Sequence, residues 1–423
     1  MIFMRTTRRQ LLAGIAGSTL LLGTGFRPID AAAEEGPIRL GFIGPLSGAQ
    51  EIFGAPMLTG AQIAAEQINA AGGINGRKLE IVARDDKAAG PEAVKQAQGL
   101  IGEGVHLMFG AIQTAVALAI GPLLGPNHAV LISCAAIADS LTHESFVPNY
   151  FRISDNSYMR YRALARVMAE KFPDVTKWTG IFPDAAYGHQ SWDGFVDGLK
   201  EYYPAIAKKD VEIYDPVLTK FGATDFKPQI TALMRSPADG LFNNTNGADA
   251  VTLLAQAANF GLDRKFKVIA DGANEFNVPK ALGKRMIPNF WTAMHWYYGG
   301  YQDTPIGRKL YEDYVAKTGD KLPIGYVEQG HAAVLAYAEA IKKAGSTDAA
   351  ALVNALEGMT FDTAKGKRTF RKEDHQAILD VNFITFGSDD TEQGWAVTDF
   401  VRIPGQEVIE PANPGKPIEF KFK

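Results

Sequence analysis

The strongest constraint on this chain is an alternation, run through twice, of short apolar stretches with segments whose apolar residues recur every three to four positions. Residues 38–43, 79–83, 105–109 and 129–133 are apolar runs that read as strands. Between them Met57, Ala61, Ala64, Ala65 and Ile68 repeat at helical spacing, as do Ala93, Val94, Ala97 and Ile101, and residues 114–124 make a third helix. Gly72-Gly73 stops the first helix. Parallel strands need a crossover between them, so this rhythm requires a parallel sheet with helices on both faces. The rhythm restarts after Arg152-Ile153-Ser154. Helices are predicted at 158–171, 190–202, 225–235 and 248–260, and strands at 178–182, 211–214, 240–243 and 268–270. Two long helices, 304–318 and 326–343, follow. Strands are then expected at Thr369, 378–386 and 395–401, before an extended Pro-rich tail over 402–423. The fold class is α/β, with two Rossmann-like lobes. Ligands of open α/β sheets bind at the carboxyl ends of the strands, so two facing lobes place a cleft there.

The first 33 residues read as an address. Arg5, Arg8 and Arg9 precede an uncharged apolar run over 11–25, and Ala31-Ala32-Ala33 offers small residues for a signal peptidase. The run is too short to span a bilayer. Thr7-Arg8-Arg9-Gln10-Leu11-Leu12 resembles a twin-arginine signal, with an ordinary secretory signal as the alternative. The expected mature start is near Glu34, and the expected location is a bacterial periplasm. No later stretch is apolar for ~18 residues, so no membrane span is expected beyond the leader. The net charge of −4 argues against nucleic acid as a partner. The single cysteine, Cys134, excludes an intrachain disulfide and a cysteine metal cluster. It reads as a small buried hydrophobe rather than a nucleophile.

One succession of residues carries more than pattern. Residues 38–48 are followed by Phe53-Gly54, Gly60-Ala61, Ile68-Asn69-Ala70-Ala71-Gly72-Gly73-Ile74-Asn75-Gly76 and Asp85-Asp86. Later come Pro183-Asp184-Ala185-Ala186-Tyr187-Gly188 and Gln256-Ala257-Ala258-Asn259-Phe260-Gly261-Leu262. In this order and spacing the chain resembles the periplasmic branched-chain amino acid binding proteins of ABC transporters, over nearly its whole length past the leader. The resemblance implies the type I periplasmic binding fold, two lobes joined by three crossovers around a ligand cleft. The crossovers are expected near 154–156, near 293–294 and around 362–376. Lobe one is then 36–155 with 294–365, and lobe two is 156–293 with 366–423.

Candidate ligand contacts follow from strand ends and from the resemblance together. Gln113 and Thr114 follow a strand and open a helix, whose free N–H groups suit a carboxylate. By resemblance Thr114 holds the family's carboxylate-binding serine position; helix capping is the bland reading. Ala135 and Ile137 lie in the loop after the next strand, where Ile137 replaces a common threonine. Phe53 and Tyr187 match aromatics that line and close the family's pocket. Within Asn243-Asn244-Thr245-Asn246-Gly247, Asn246 replaces a family tyrosine, and turn chemistry is an equal reading for each residue. Asp271 and Gly272 stand where the amino acid binders place a glutamate for the ligand's ammonium group. Tyr326 begins a helix and is placed to reach the cleft, with Glu328 a weaker candidate. His295-Trp296-Tyr297-Tyr298 reads mainly as hinge packing. The substitutions at 137, 246 and 272 point away from an ordinary aliphatic amino acid. An aromatic acid, an amide or a urea-like ligand are the alternatives.

The resulting expectation is a monomeric solute-binding protein that captures a small carboxylate-bearing molecule by hinge closure and delivers it to ABC permease subunits. Its alternative is a periplasmic sensor subunit that binds an amide or urea-like ligand and partners a signalling receptor. No cofactor or metal is expected, and no catalytic residue. The chain holds no G-x-S-x-G, P-loop, dinucleotide or HExxH signature, which argues against an enzyme.

Overall fold

In the computed structural model, residues 36–422 are described, so the expected leader at 5–33 lies outside the described residues. Strands β1 (Ile38–Gly44), β2 (Leu79–Asp85), β3 (Leu107–Gly110), β4 (Val130–Ser133) and β5 (Tyr150–Arg152) form the first sheet. Their order is β2-β1-β3-β4-β5, parallel throughout. Strands β3, β4 and β5 are buried at every position, as a sheet covered on both faces requires. Helices α1 (Glu51–Ala70), α2 (Gly90–Gly102) and α3 (Thr114–Leu124) make the connections.

The chain then crosses to a second sheet. Asn156 caps α4 (Ser157–Lys171), its side-chain oxygen accepting from the Met159 N–H at 2.8 Å. In chain order follow β6 (Lys177–Pro183), α5 (Ala186–Tyr202), β7 (Glu212–Ile213), β8 (Val217–Thr219) and α6 (Lys227–Arg235). Next are β9 (Gly240–Asn243), α7 (Gly247–Ala257), α8 (Leu262–Lys265), β10 (Val268–Asp271), α9 (Asn277–Leu282) and β11 (Phe290–Met294). Buried aromatics fill its core: Phe195 stacks on Phe242 at 4.7 Å and meets Trp178 edge-on at 5.3 Å. Each such ring stabilises the lobe by roughly 1.5–3 kcal/mol relative to an exposed position.

Two long helices return the chain to the first sheet. These are α10 (Pro305–Thr318) and α11 (Tyr326–Ala344), followed by α12 (Ala349–Leu356), which Asp348 caps through the Ala350 and Ala351 N–H groups. The Tyr337 hydroxyl on α11 donates to the Met108 and Val130 carbonyls of β3 and β4. A small antiparallel sheet comes next, made of β12 (Thr360–Thr363), β13 (Gly366–Phe370) and β14 (Ala377–Ile378). Strands β15 (Val381–Ser388) and β16 (Trp395–Ile403) then add to the second sheet, antiparallel beside β11. Its order is β16-β15-β11-β10-β9-β6-β7, with β8 also on β6.

The last crossover differs from expectation. It lies after Ile378, not around 362–376, because 366–378 is tied to the first lobe. Arg368 forms a buried ion pair with Glu328 of α11 and donates to the Ile153 carbonyl. Gln376 accepts from Arg152 at 2.5 Å. The pattern read across 378–386 as one strand is broken at Leu379-Asp380, where the chain changes sheets.

Candidate functional site

The carboxyl ends of the two sheets converge on one chamber. Gln50 and Phe53 reach it from the segment after β1, Ile112, Gln113 and Thr114 from the turn after β3, and Ala135 and Ile137 from the loop after β4. The second lobe supplies Tyr187 after β6, Asn244 and Asn246 after β9, and Ala273 after β10. Arg160 and Tyr161 on α4 and Tyr326 at the start of α11 complete the lining of a space of about 500 Å³ counted out to its open mouth. Eight of the sequence candidates are therefore brought together: Phe53, Gln113, Thr114, Ala135, Ile137, Tyr187, Asn246 and Tyr326.

The walls are stiff. Phe53 and Tyr326 stack at 4.6 Å, although they are separated by most of the chain. The Thr114 hydroxyl accepts from the Ala138 N–H at 3.4 Å, linking the loops after β3 and β4. Thr114 is the first residue of α3 rather than its cap, a position held by Gln113, whose side chain makes no cap bond. The Val116 and Ala117 N–H groups of α3 donate to the Gln113 carbonyl, which leaves those of Thr114 and Ala115 at the open end of the helix. A line of amides crosses from lobe to lobe. Gln113 Nε2 donates to Gln50 Oε1 at 3.1 Å, Gln50 Nε2 to Asn246 Oδ1 at 3.5 Å, and Asn246 Nδ2 to the Tyr187 hydroxyl at 3.1 Å.

Asp271 and Gly272 do not reach the chamber. The Asp271 carboxylate is buried and accepts from Asn243 at 2.7 Å, from Thr292 at 2.7 Å and from the Asn274 backbone and side chain. Burial pushes its pKa up to about 6 against those hydrogen bonds. It ties β9, β10 and β11 together behind the site. Gly272 is small for a local reason: a Cβ there would collide with the Asn244 side-chain oxygen. That oxygen accepts from the Tyr161 hydroxyl at 2.9 Å. Glu328 is spent on Arg368, and Trp296, Tyr297 and Tyr298 pack against hinge and helix aromatics. Cys134 is buried, and burial pushes its thiol up to about 12.

Sequence reasoning missed Gln50, Ile112, Arg160, Tyr161 and Ala273, and left Asn244 evenly balanced between cleft hydrogen bonding and turn chemistry. Arg160 matters most, because it is the one charged side chain lining the chamber among the described residues. Its Nε and Nη2 donate to Asp155 at 2.8 Å each, and Nη2 also reaches His295 Nε2 at 2.9 Å. His295 Nδ1 in turn meets Glu275 Oε1 at 2.8 Å, and Glu275 also accepts from the His295 and Gly325 N–H groups. This line spans the first two crossovers. Burial alone would raise the Asp155 carboxyl, but the adjoining guanidinium and its hydrogen bonds hold it well below the usual range. Burial, then the Arg160 charge, lowers the His295 pKa, while the Glu275 carboxylate works the other way. Nothing in the run Ser157-Tyr158-Met159-Arg160-Tyr161 marks Arg160 as buried, since α4 is enclosed on nearly every side.

Residues 37–391 match the family model described as periplasmic binding protein. This chain is a member of the periplasmic binding protein family. One relative is the leucine-, isoleucine-, valine-, threonine- and alanine-binding protein of Pseudomonas aeruginosa, 25% identical over 346 residues that cover 82% of this chain and 88% of the relative. Among solved structures, the branched-chain amino acid transporter substrate binding protein of Streptococcus pneumoniae, in complex with isoleucine, superposes with a TM-score of 0.74 at 21% identity, covering 87% of this chain and 99% of that one. An ABC transporter solute binding protein of Rhodopseudomonas palustris, in complex with 3,4-dihydroxybenzoic acid, gives 0.75 at 21% identity, covering 88% and 98%. The chain thus has the type I periplasmic binding fold, the family is one of solute-binding rather than catalytic proteins, and no helix among the described residues is long and apolar enough to cross a membrane.

Proposed function

We propose that this protein captures a small carboxylate-bearing molecule, an amino acid-like compound or an aromatic acid, between its lobes and delivers it to an ABC permease from the periplasm. The observation that carries the reading is the Arg160 guanidinium in a chamber that also holds the start of α3 and the Thr114 hydroxyl. With Nε and Nη2 of Arg160 taken by Asp155 and His295, Nη1 remains with two N–H groups for a bound anion. The stacked Phe53 and Tyr326 rings give a flat wall beside it. No lining carboxylate among the described residues faces a ligand ammonium, which favours an aromatic acid over an α-amino acid. Ligand touching both lobes shifts the hinge toward the closed state.

A thermal-shift screen on unfolded and refolded protein, freed of carried-over ligand, tests this. Amino acids, aromatic acids, dicarboxylates, amides and urea are compared. A carboxylate at 100 times its Kd stabilises by about 2.7 kcal/mol, and Thr114→Ala reduces the response. A response to amides or urea with none to any carboxylate refutes the reading.

A further inference from the structure

A second cavity lies directly outside the chamber, at the mouth of the cleft. It shares Gln50, Gln113, Thr114 and Tyr187 with the chamber and is the larger of the two, about 1460 Å³ against about 500 Å³ out to the open mouth. Its lining is mostly apolar surface, although Lys87 and Asp249 also border it. Ala115 and Leu118 face it from α3 of the first lobe, and Ala186, Tyr187 and Phe221 from the second. Leu118 is 39% exposed and Phe221 53% exposed, and both belong to the few large apolar side chains left in water among the described residues. Phe221 packs toward the Tyr187 ring at 5.9 Å. The partition between the two spaces is the amide line, whose lobe-to-lobe link, Gln50 to Asn246, is also its longest at 3.5 Å.

We propose that the ligand carries an apolar extension, and that this vestibule is the binding site for that extension. The inference rests on the carboxylate reading above. A carboxylate held at Arg160 and the α3 terminus leaves the rest of an elongated molecule a way out past Gln50 into the vestibule, which shares four lining residues with the chamber. There the tail is covered by Leu118 from one lobe and Phe221 from the other, so each added methylene favours the closed state as well as occupancy. Burial of two exposed apolar side chains adds to the driving force. The ligand class is therefore an arylalkanoate or medium-chain alkanoate, rather than a compact acid enclosed by the inner chamber alone.

Isothermal titration against benzoate, phenylacetate, 3-phenylpropanoate and 4-phenylbutanoate, and against the alkanoates from acetate to octanoate, tests this. The expected result is a gain of about fourfold in affinity per methylene through the longer members. Phe221→Ser and Leu118→Ser each weaken the long members about tenfold and leave the short ones unchanged. Both positions are exposed, so the variants keep their fold, checked by unchanged melting without ligand. Short acids that bind while extension leaves affinity flat or lowers it overturn the proposal and leave the carboxylate reading standing. Long acids that bind equally well to both variants also overturn it. If neither series binds, the carboxylate reading falls and this proposal with it.

Discussion

Replacing Gly60 by alanine sets two physical effects against each other, and the structure decides the sign. In an isolated helix the change stabilises by about 1 kcal/mol, because alanine loses less backbone freedom than glycine. In this protein Gly60 sits where α1 crosses α11. A Cβ at Gly60 would stand well under 3.0 Å from the Val327 carbonyl oxygen, and a Cβ at Gly330 equally close to the Met57 carbonyl oxygen. These are backbone atoms, so no rotamer change relieves the clash and the helices must part. Overpacking of a rigid core contact costs about 3 kcal/mol. The net expectation is a loss of about 2 kcal/mol, a fall of about 2–4 °C in Tm. Function follows, because Val327 adjoins Tyr326, and α1 carries Phe53. Parting the helices widens the 4.6 Å stack that walls the chamber, so the ligand-induced thermal shift shrinks too. Urea unfolding followed by tryptophan fluorescence gives the stability, and titration with the best ligand gives the affinity. A Gly60→Ala protein as stable as the parent, or more so, would refute the claim that this glycine exists for a close helix crossing.

Arg160→Gln leaves Asp155 buried without its partner and destabilises by about 3–5 kcal/mol, whereas Arg160→Gln with Asp155→Asn recovers much of the stability and none of the carboxylate affinity; a double-mutant cycle in urea reads the coupling. Buried His331, held at Gln67 Oε1, is pushed down to about 4 by burial, so it stays neutral when folded while the unfolded chain takes a proton near 6.5. That contribution is complete above pH 6.5 and is lost as pH falls toward 4, and His331→Gln flattens this limb of the stability–pH curve. Asp139 has the opposite sign: burial, with Glu410 nearby, raises it to about 7, so its contribution is present at low pH and lost as pH rises through 7. Asp139→Asn removes that loss, which runs from about pH 4 to about pH 7, in the same unfolding series. Gly272→Glu, which restores a carboxylate where amino acid binders carry one, breaks the Tyr161–Asn244 bond and yields no response to leucine in a thermal-shift assay.

Much of the scaffold was legible because its signals are local. The helix read over 114–124 and the strand read over 240–243 have those bounds in the structure. Helix α1 begins six residues before the apolar repeat that announced it: Glu51 and Ile52 face water, and Gly54 and Pro56 mask the buried Phe53, which is in phase with Met57 and Ala61. The strand β11 went unread because it is buried throughout and runs into the hinge aromatics without a turn signal. The small β12–β14 sheet was read only in part: the strand expected at Thr369 lies in β13, but β12 went unread and β14 was merged with β15, because these strands are two to five residues long and pair with one another rather than with a main sheet.

The sequence alone determined that the chain folds as two parallel α/β lobes, and which loops stand at their strand ends, because strand and helix periods and turn residues act over a few positions. It also placed most of the chamber lining, since the loops past the strand ends border the cleft, although Cys134 and Gly272, each directly past a strand, do not line it. Only the tertiary structure decided that Arg160 lines the chamber, that Asp271 is a scaffold brace and that Gly272 makes room for Asn244. Those outcomes depend on Asp155, His295, Thr292 and Tyr161, brought up from elsewhere in the chain. Burial then turns each such meeting into a choice between a paired charge and an unpaired one, and no local pattern contains that choice.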